Sequence, residues 1–292
     1  MSASHHKPDP SRSERAILIT GCSSGIGLHV ARGLHRRGYR VIASARKADD
    51  VVRLQQEGFA AIPLDLADPD SIRAAVAATL EIAGNRLFAL FNNGAYGQPG
   101  AVEDLSRAVL RQQFETNVFG TVELTNLLIP TLRKQGYGRI IQNSSVLGLI
   151  SLPYRGAYNA SKFALEGISD TLRQELSGTG ISVSLIEPGP IESRFRENAF
   201  AAYQQHINAD SSAHRDTYRK MEQRLQKRGA AAPFTLTPEA VLKKVIHALE
   251  SPRPRPRYYV TFPTYLFGVL RRIFSTRMLD RVLLRVSRKE NR

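Results

Sequence analysis

The stretch Ala16-Ile-Leu-Ile-Thr20-Gly21-Cys-Ser-Ser-Gly25-Ile-Gly27, running on into Leu28 to Leu34, decides the fold. Ala16 to Thr20 is a short apolar run of buried-strand type. After the glycines, Leu28, Ala31 and Leu34 recur at helical spacing. Strand, glycine turn and helix in that order are the context of a dinucleotide fingerprint, here spaced G-x-x-x-G-x-G rather than the familiar G-x-G-x-x-G. Gly21 can make the tight turn, Gly25 lets backbone N–H groups approach a pyrophosphate, and Gly27 lets the helix pack closely on the strand. The helix N-terminus adds a positive dipole for the phosphates. Ser23, Ser24 and Ile26 complete the expected cofactor loop. An ordinary glycine-rich turn is the bland alternative.

Outward from this loop, a second strand over Tyr39 to Ser44 ends at Ala45-Arg46-Lys47. An acid at the end of this strand would hydrogen-bond a ribose hydroxyl and mark NAD, and Ala45 cannot do that. Arg46 and Lys47 instead offer charge to the 2′-phosphate of NADP, and Ser23 offers a hydroxyl to the same group. Hydrogen bonds to charged groups contribute roughly 1.5–3 kcal/mol each, so the pair predicts a preference of about tenfold to a thousandfold. Two solvated surface cations are the alternative. Farther along, Tyr158 and Lys162 stand four residues apart, on one face of a helix, with Ser145 thirteen residues before the tyrosine. A cation nearby lowers the pKa of a phenol from its usual ~10. The spacing therefore predicts a Tyr158 made acidic by Lys162, able to give or take a proton near neutral pH, with Ser145 holding the same substrate oxygen. A core phenol beside a solvated lysine is the rival reading of the isolated pair.

With these residues together, the chain resembles the short-chain dehydrogenase/reductase family from about Arg15 to Phe262. Thr20 to Gly27 resembles its cofactor loop, and Asp65-Leu66, after the apolar run Ala60 to Leu64, resembles the pair that touches the adenine ring. Phe91-Asn92-Asn93-Gly94-Ala95 resembles the end of the family's fourth strand, where Asn-Asn-Ala-Gly is usual and the last two residues are here exchanged. Asn117 falls at the family's catalytic asparagine, Asn143-Ser144-Ser145 at the serine strand, and Tyr158-Asn-Ala-Ser-Lys162 at the tyrosine–lysine motif. Glu187-Pro188-Gly189-Pro190-Ile191 matches the loop that covers the nicotinamide. Gly21 to His29, Tyr158 to Gly167, Gly148 to Pro153 and Pro254 to Tyr259 look most like the hydroxysteroid and retinol dehydrogenase branch, and the whole chain is similar to bacterial NADP-dependent aldehyde reductases.

The resemblance implies a Rossmann-type α/β fold, a doubly wound parallel sheet of about seven strands in a single domain over 15–262. It implies Ser145, Tyr158, Lys162 and Asn117 as the catalytic set. Gly21, Ser23, Ser24, Gly25, Ile26, Gly27, Arg46, Lys47, Asp65, Leu66, Asn93, Gly94, Pro188, Gly189 and Ile191 would hold NADP(H) together with Tyr158 and Lys162. The expected reaction is hydride transfer between NADPH and an apolar aldehyde or ketone. Lys162 would hold the nicotinamide ribose, and Asn117 would position a water that relays protons to Lys162. A non-catalytic NADP sensor or a membrane-surface binding protein on the same fold is the alternative. The long segment 191–238 reads as an irregular substrate lid, opposite a wall of Leu149, Leu152, Pro153 and Tyr154. Family members associate through the helices carrying Asn117 and Tyr158, which implies a homodimer or homotetramer.

Length and composition agree with one sizeable α/β unit: 292 residues, 42% of them hydrophobic. The one cysteine excludes an intramolecular disulfide and fits a reducing, cytoplasmic setting. Residues 1–14 are polar, lack the apolar core of a signal peptide and read as a disordered tail. No cluster has metal-ligand spacing, and no stretch approaches the roughly 18 apolar residues that span a bilayer. Of the net charge of +15, nine come from Pro252 to Arg292, where eleven Arg or Lys face two acids. Residues 252–257 read as a stiff linker, Arg257 to Phe262 as a last strand, and 263–292 as basic amphipathic helices. That tail can pack over the substrate cleft or a neighbouring subunit, or lie on anionic lipid. Nucleic acid fits poorly, because the cations flank an apolar stripe and no recognition motif is visible.

Overall fold

Seven strands make one fully parallel sheet: β1 (Ala16–Ile19), β2 (Arg40–Ala45), β3 (Ala60–Pro63), β4 (Leu87–Asn92), β5 (Gly138–Asn143), β6 (Ile181–Glu187) and β7 (Arg257–Tyr259). Their order is β3-β2-β1-β4-β5-β6-β7, so the winding reverses between β1 and β4. The structure is a computed structural model and describes residues 11–226, 229 and 232–290. Most of the tail 1–14 therefore lies outside the described residues, and Arg12–Glu14 forms a single capped turn.

The helices are α1 (Gly25–Arg36), α2 (Ala48–Gln56), α3 (Pro69–Ile82), α4 (Arg107–Phe114), α5 (Gly120–Gln135) and α6 (Gly156–Glu175), then α7 (Phe195–His206), α8 (Arg215–Gln226), α9 (Glu239–Glu250), α10 (Phe262–Ile273) and α11 (Thr276–Glu290). Alternation along β1 shows why both faces are covered. Ile17 and Ile19 point to a core shared with Val30, Ala31 and Leu34 of α1 and Val241, Leu242 and Val245 of α9. Ala16 and Leu18 point the other way, to Ile72 of α3 and Leu124, Leu128 and Leu132 of α5. A strand buried on both faces must be apolar throughout, as β1 is. Gly33 lets α1 and α9 cross closely, since a Cβ there would lie 2.3 Å from Leu242 Cδ2.

Two expectations change, and one of the alternatives for the tail is met. The segment 191–238 is not irregular: it contains α7 and α8. Tyr203, Tyr218, Met221 and Leu225 of these helices are buried in a cluster with Ala101, Leu105 and Val109. The fully buried Tyr218 accepts a hydrogen bond from the Ala101 amide (2.9 Å) and donates one to Asp104. Aromatic burial thus organises a stretch whose surface is strongly polar. The last strand ends at Tyr259, before Phe262. Thr261 adopts an extended N-cap conformation and Pro263 pre-sets the first helical turn, so Phe262 opens α10. Finally, α10 and α11 pack on the segment after Ser145: Phe267 and Leu283 share a core with Leu147, Ile150 and Leu152, and Arg271 donates to the Leu149 carbonyl (2.5 Å). Among the described residues no helix is long and apolar enough to cross a membrane.

Candidate active site

The reversal of strand order opens a crevice at the carboxyl ends of β1 and β4, where ligands bind in open α/β sheets. Its floor is the glycine turn. Gly21 and Gly25 take left-handed φ of +70° and +58°, which a side chain resists. At Gly27 a Cβ would lie 2.3 Å from the Gly21 carbonyl oxygen, so only glycine lets α1 start there. Asn93 stitches turn to sheet: its side-chain amide donates to the Thr20 and Gly21 carbonyls (2.9 and 3.2 Å), and Thr20 Oγ1 accepts from the Asn93 and Gly94 amides (2.8 and 2.7 Å). The exchanged Gly94 and Ala95 cost nothing in backbone conformation, because neither has a positive φ. Leu66 packs under Gly94, and Asp65 fixes its own bend by accepting from the Ala67 amide (3.0 Å).

The residues present fit a dinucleotide. Ser24 is extended at the start of α1 and makes no side-chain cap, which leaves first-turn N–H groups turned toward an anion. Arg46 and Lys47 are exposed at the end of β2 and have no ion-pair partner among the described residues, whereas nearby Arg32 and Arg53 are spent on Glu57 and Asp50. Arg53 also holds the Ser23 carbonyl (2.6 Å). Pro188 accepts from the Val146 amide (2.8 Å), and Gly189 leaves room for Thr261. Ile191 is bridged to Leu236, which closes the base of the lid.

Ser145, Tyr158 and Lys162 converge beside this crevice. Ser145 begins the turn after β5, its Oγ accepting from the Leu147 amide (3.1 Å), and its hydroxyl lies near enough to the Tyr158 phenol to favour the phenolate. Lys162, one turn along α6, is buried with Nζ 5.7 Å from the centre of the Tyr158 ring, and donates to the Asn143 carbonyl (2.7 Å). The expectation of an acidic tyrosine is not met. Burial pushes Tyr158 up to about 12, against the opposing effects of the nearby Ser145 hydroxyl and the Arg155 charge. Burial also brings Lys162 down to about 8, which the negative charge of Glu166 only partly resists. The cation lies over the ring rather than at the hydroxyl, so desolvation of the phenolate dominates.

Asn117 sits in a π-helical turn, Glu115–Phe119, between α4 and α5. Its carboxamide is taken up by the Tyr96 backbone (2.9 and 3.1 Å) and by Ser161 Oγ (3.1 Å), and no direct hydrogen bond joins it to Lys162 among the described residues. It buttresses the floor beneath Tyr158 rather than touching the lysine.

Sequence reasoning missed two neighbours. Phe195, at the start of the lid helix α7, stands edge-on to Tyr158 with ring centres 5.2 Å apart, and Gly97 makes room for it. Its aromatic type in the lid was visible, but nothing in the spacing aims it at Tyr158. Behind Lys162, Arg257 of β7 pairs with Glu166, with Asp170 (2.5 Å) and with Glu187 (2.6 Å). Burial, and then the charge of Glu166, holds the Glu187 carboxyl above its usual range. Buried Cys22 donates to the Ile19 carbonyl (3.2 Å), and burial pushes its thiol up to about 12, as suits a packing residue. His29 pairs with Glu239, and no metal-holding cluster occurs among the described residues.

The arrangement has close counterparts. A model of the short chain dehydrogenase family matches residues 15–204. The uncharacterized oxidoreductase YbbO of Escherichia coli is 45% identical over 270 residues, covering 92% of this chain and 94% of that one. Human 17-beta-hydroxysteroid dehydrogenase type 1 is 33% identical over 258 residues, covering 84% of this chain and 77% of that one. A solved short chain dehydrogenase/reductase from Burkholderia phymatum, in complex with NAD, superposes with a TM-score of 0.73 at 25% identity, covering 87% of this chain and 91% of that one.

Proposed function

This chain belongs to the short chain dehydrogenase family, and from that premise we propose that it is an NADP-dependent reductase of apolar aldehydes or ketones. The observation that carries the reading is the meeting of Ser145 and the Tyr158 phenol beside buried Lys162, at the crevice edge of a glycine turn built for a pyrophosphate. Gly21, Ser24, Gly25, Ile26 and Gly27 would hold the pyrophosphate, and Asp65 and Leu66 the adenine. Arg46, Lys47 and Ser23 would take the 2′-phosphate, and the two unspent cations support NADP over NAD. Asn93, Gly94, Pro188, Gly189 and Ile191 would enclose the nicotinamide end. When bound, the reduced nicotinamide supplies the hydride.

The chain's own side chains manage the proton. Tyr158, with its pKa pushed up to about 12, keeps its proton at neutral pH and so suits the acid role in carbonyl reduction. It donates that proton to the substrate oxygen as charge builds there. Ser145 hydrogen-bonds the same oxygen, acting as part of an oxyanion site. The Lys162 ammonium, fixed by the Asn143 carbonyl, stabilises the phenolate left behind. Asn117 holds the floor through Tyr96 and Ser161. Phe195, edge-on to Tyr158, would bound the space a substrate carbonyl occupies. A homodimer or homotetramer through α5, the π-helical turn before it and α6 accompanies this reading, supported by exposed Phe119 on the turn, Leu127 on α5 and Ile168 on α6.

The test is consumption of NADPH and, in parallel, NADH with a panel of aldehydes and ketones. Reduction of an apolar carbonyl compound with NADPH at least about tenfold ahead of NADH is expected. Absence of reduction across the panel, or a preference for NADH, would contradict the proposal.

A further inference from the structure

α10 turns one face to the protein and another to solvent. Thr264, Phe267 and Gly268 are buried, and a Cβ at Gly268 would lie 2.6 Å from the Tyr259 ring. The opposite stripe is Phe262, Tyr265, Leu266, Val269 and Ile273, at helical spacing and all exposed, Ile273 at 70%. Phe234 is 58% exposed, with its ring centre 4.9 Å from that of Phe262, and extends the stripe from the base of the lid. An exposed apolar strip of this extent marks an interaction surface.

Its surroundings name the partner. α10 contains no acid and ends in Arg271 and Arg272. α11, joined to it by two residues, packs Leu279, Val282, Leu283 and Val286 inward. It turns Arg277, Arg281, Arg285 and Arg288 outward at helical spacing, and Asp280 is the one acidic side chain described on either helix. We propose that the α10 stripe and the α11 arginine row form a docking surface for an anionic lipid bilayer, with α10 lying in the plane of the headgroups.

A second copy docked on this face would set one α11 arginine row against another. A nucleic acid would satisfy the arginines and leave the apolar stripe facing phosphate. An anionic bilayer satisfies both, because the stripe inserts at the headgroup–acyl boundary while each nearby basic residue gains about 1 kcal/mol. Phe262 follows Thr261, which packs on Gly189, so the docking face borders the crevice. Docking does not depend on chemistry at Tyr158.

The test is co-flotation of the full chain with vesicles of phosphatidylcholine alone or with about one third phosphatidylglycerol. Flotation with the anionic vesicles only, released by about 0.5 M salt, is expected. Two double variants, Leu266→Asp with Val269→Asp and Arg281→Glu with Arg285→Glu, are each expected to bind at least about tenfold more weakly, with unchanged melting and unchanged NADPH binding. Four results would overturn the proposal. These are a wild type that stays behind, equal flotation on neutral vesicles, undiminished flotation of both variants, or a stripe variant that changes only self-association.

Discussion

Arg46 and Lys47 are ordinary surface residues by exposure, and their meaning comes from what they lack. Two acids close to the glycine loop are already engaged, Asp50 by Arg53 and Glu57 by Arg32, and neither pairs with Arg46 or Lys47. Their charges therefore stay available to a phosphate at the end of β2. Replacing either by alanine removes a charged hydrogen bond of roughly 1.5–3 kcal/mol, which predicts a drop of about tenfold to a hundredfold in the NADPH-over-NADH ratio of kcat/KM. Unchanged ratios in both variants would remove the 2′-phosphate role. Tyr158 shows how far residue types alone can carry an expectation. Its neighbours Ser145 and Lys162 were legible from spacing, but its proton affinity was not. A motif reports which groups meet, whereas burial, which decides the sign of the shift here, depends on the lid, the crevice walls and the Asn143 carbonyl that draws Lys162 aside.

At the scale of elements, the lid is α7 and α8 rather than a loop, and its first helix delivers Phe195 to Tyr158. Phe195→Ala is expected to raise kcat/KM several-fold for bulky ketones relative to small aldehydes, with a stability cost under about 1 kcal/mol because the ring is partly exposed. An unchanged substrate ratio would show that the ring does not limit entry. β7 delivers Arg257 to two buried carboxyls, Glu166 and Glu187. The folded Glu187 holds its proton more tightly than the unfolded one, by burial first and then by repulsion from Glu166. Its stabilising contribution is full below the ordinary value of 4.5 and fades as pH rises through the elevated folded value. Glu187→Gln, fixed in the neutral form, is expected to lose less stability than wild type in urea unfolding between about pH 5 and 9. Parallel curves for the two proteins would refute the raised proton affinity of Glu187. The strand–turn–helix start of the chain was legible because apolar period and glycine placement are local properties. The lid helices were not, because Tyr203, Tyr218 and Met221 acquire a core only when Ala101, Leu105 and Val109 arrive from elsewhere.

At the scale of the molecule, the fold divides its work. The sheet and its two helical layers place the glycine turn, Ser145 and Tyr158 at one edge, while the π-helical turn, α5 and α6 leave Phe119, Leu127 and Ile168 exposed. Light scattering is expected to show a dimer or tetramer, and Ile168→Asp with Leu127→Asp is expected to reduce it to a smaller species. A wild type that is monomeric throughout would exclude association through these helices. The parallel sheet and its reversal were foreseen from alternation and family pattern. How α10 and α11 pack on the turn after Ser145 could not be, because basic amphipathic helices suit a protein cleft and a bilayer equally well in sequence. The account as a whole rests on proton donation by Tyr158. Carbonyl reduction and NADPH binding, measured side by side for wild type and Tyr158→Phe, test it most directly. The prediction is a loss of about a hundredfold to ten-thousandfold in turnover, with NADPH affinity within a few-fold of wild type. A variant that reduces the same carbonyl at the wild-type rate would contradict it.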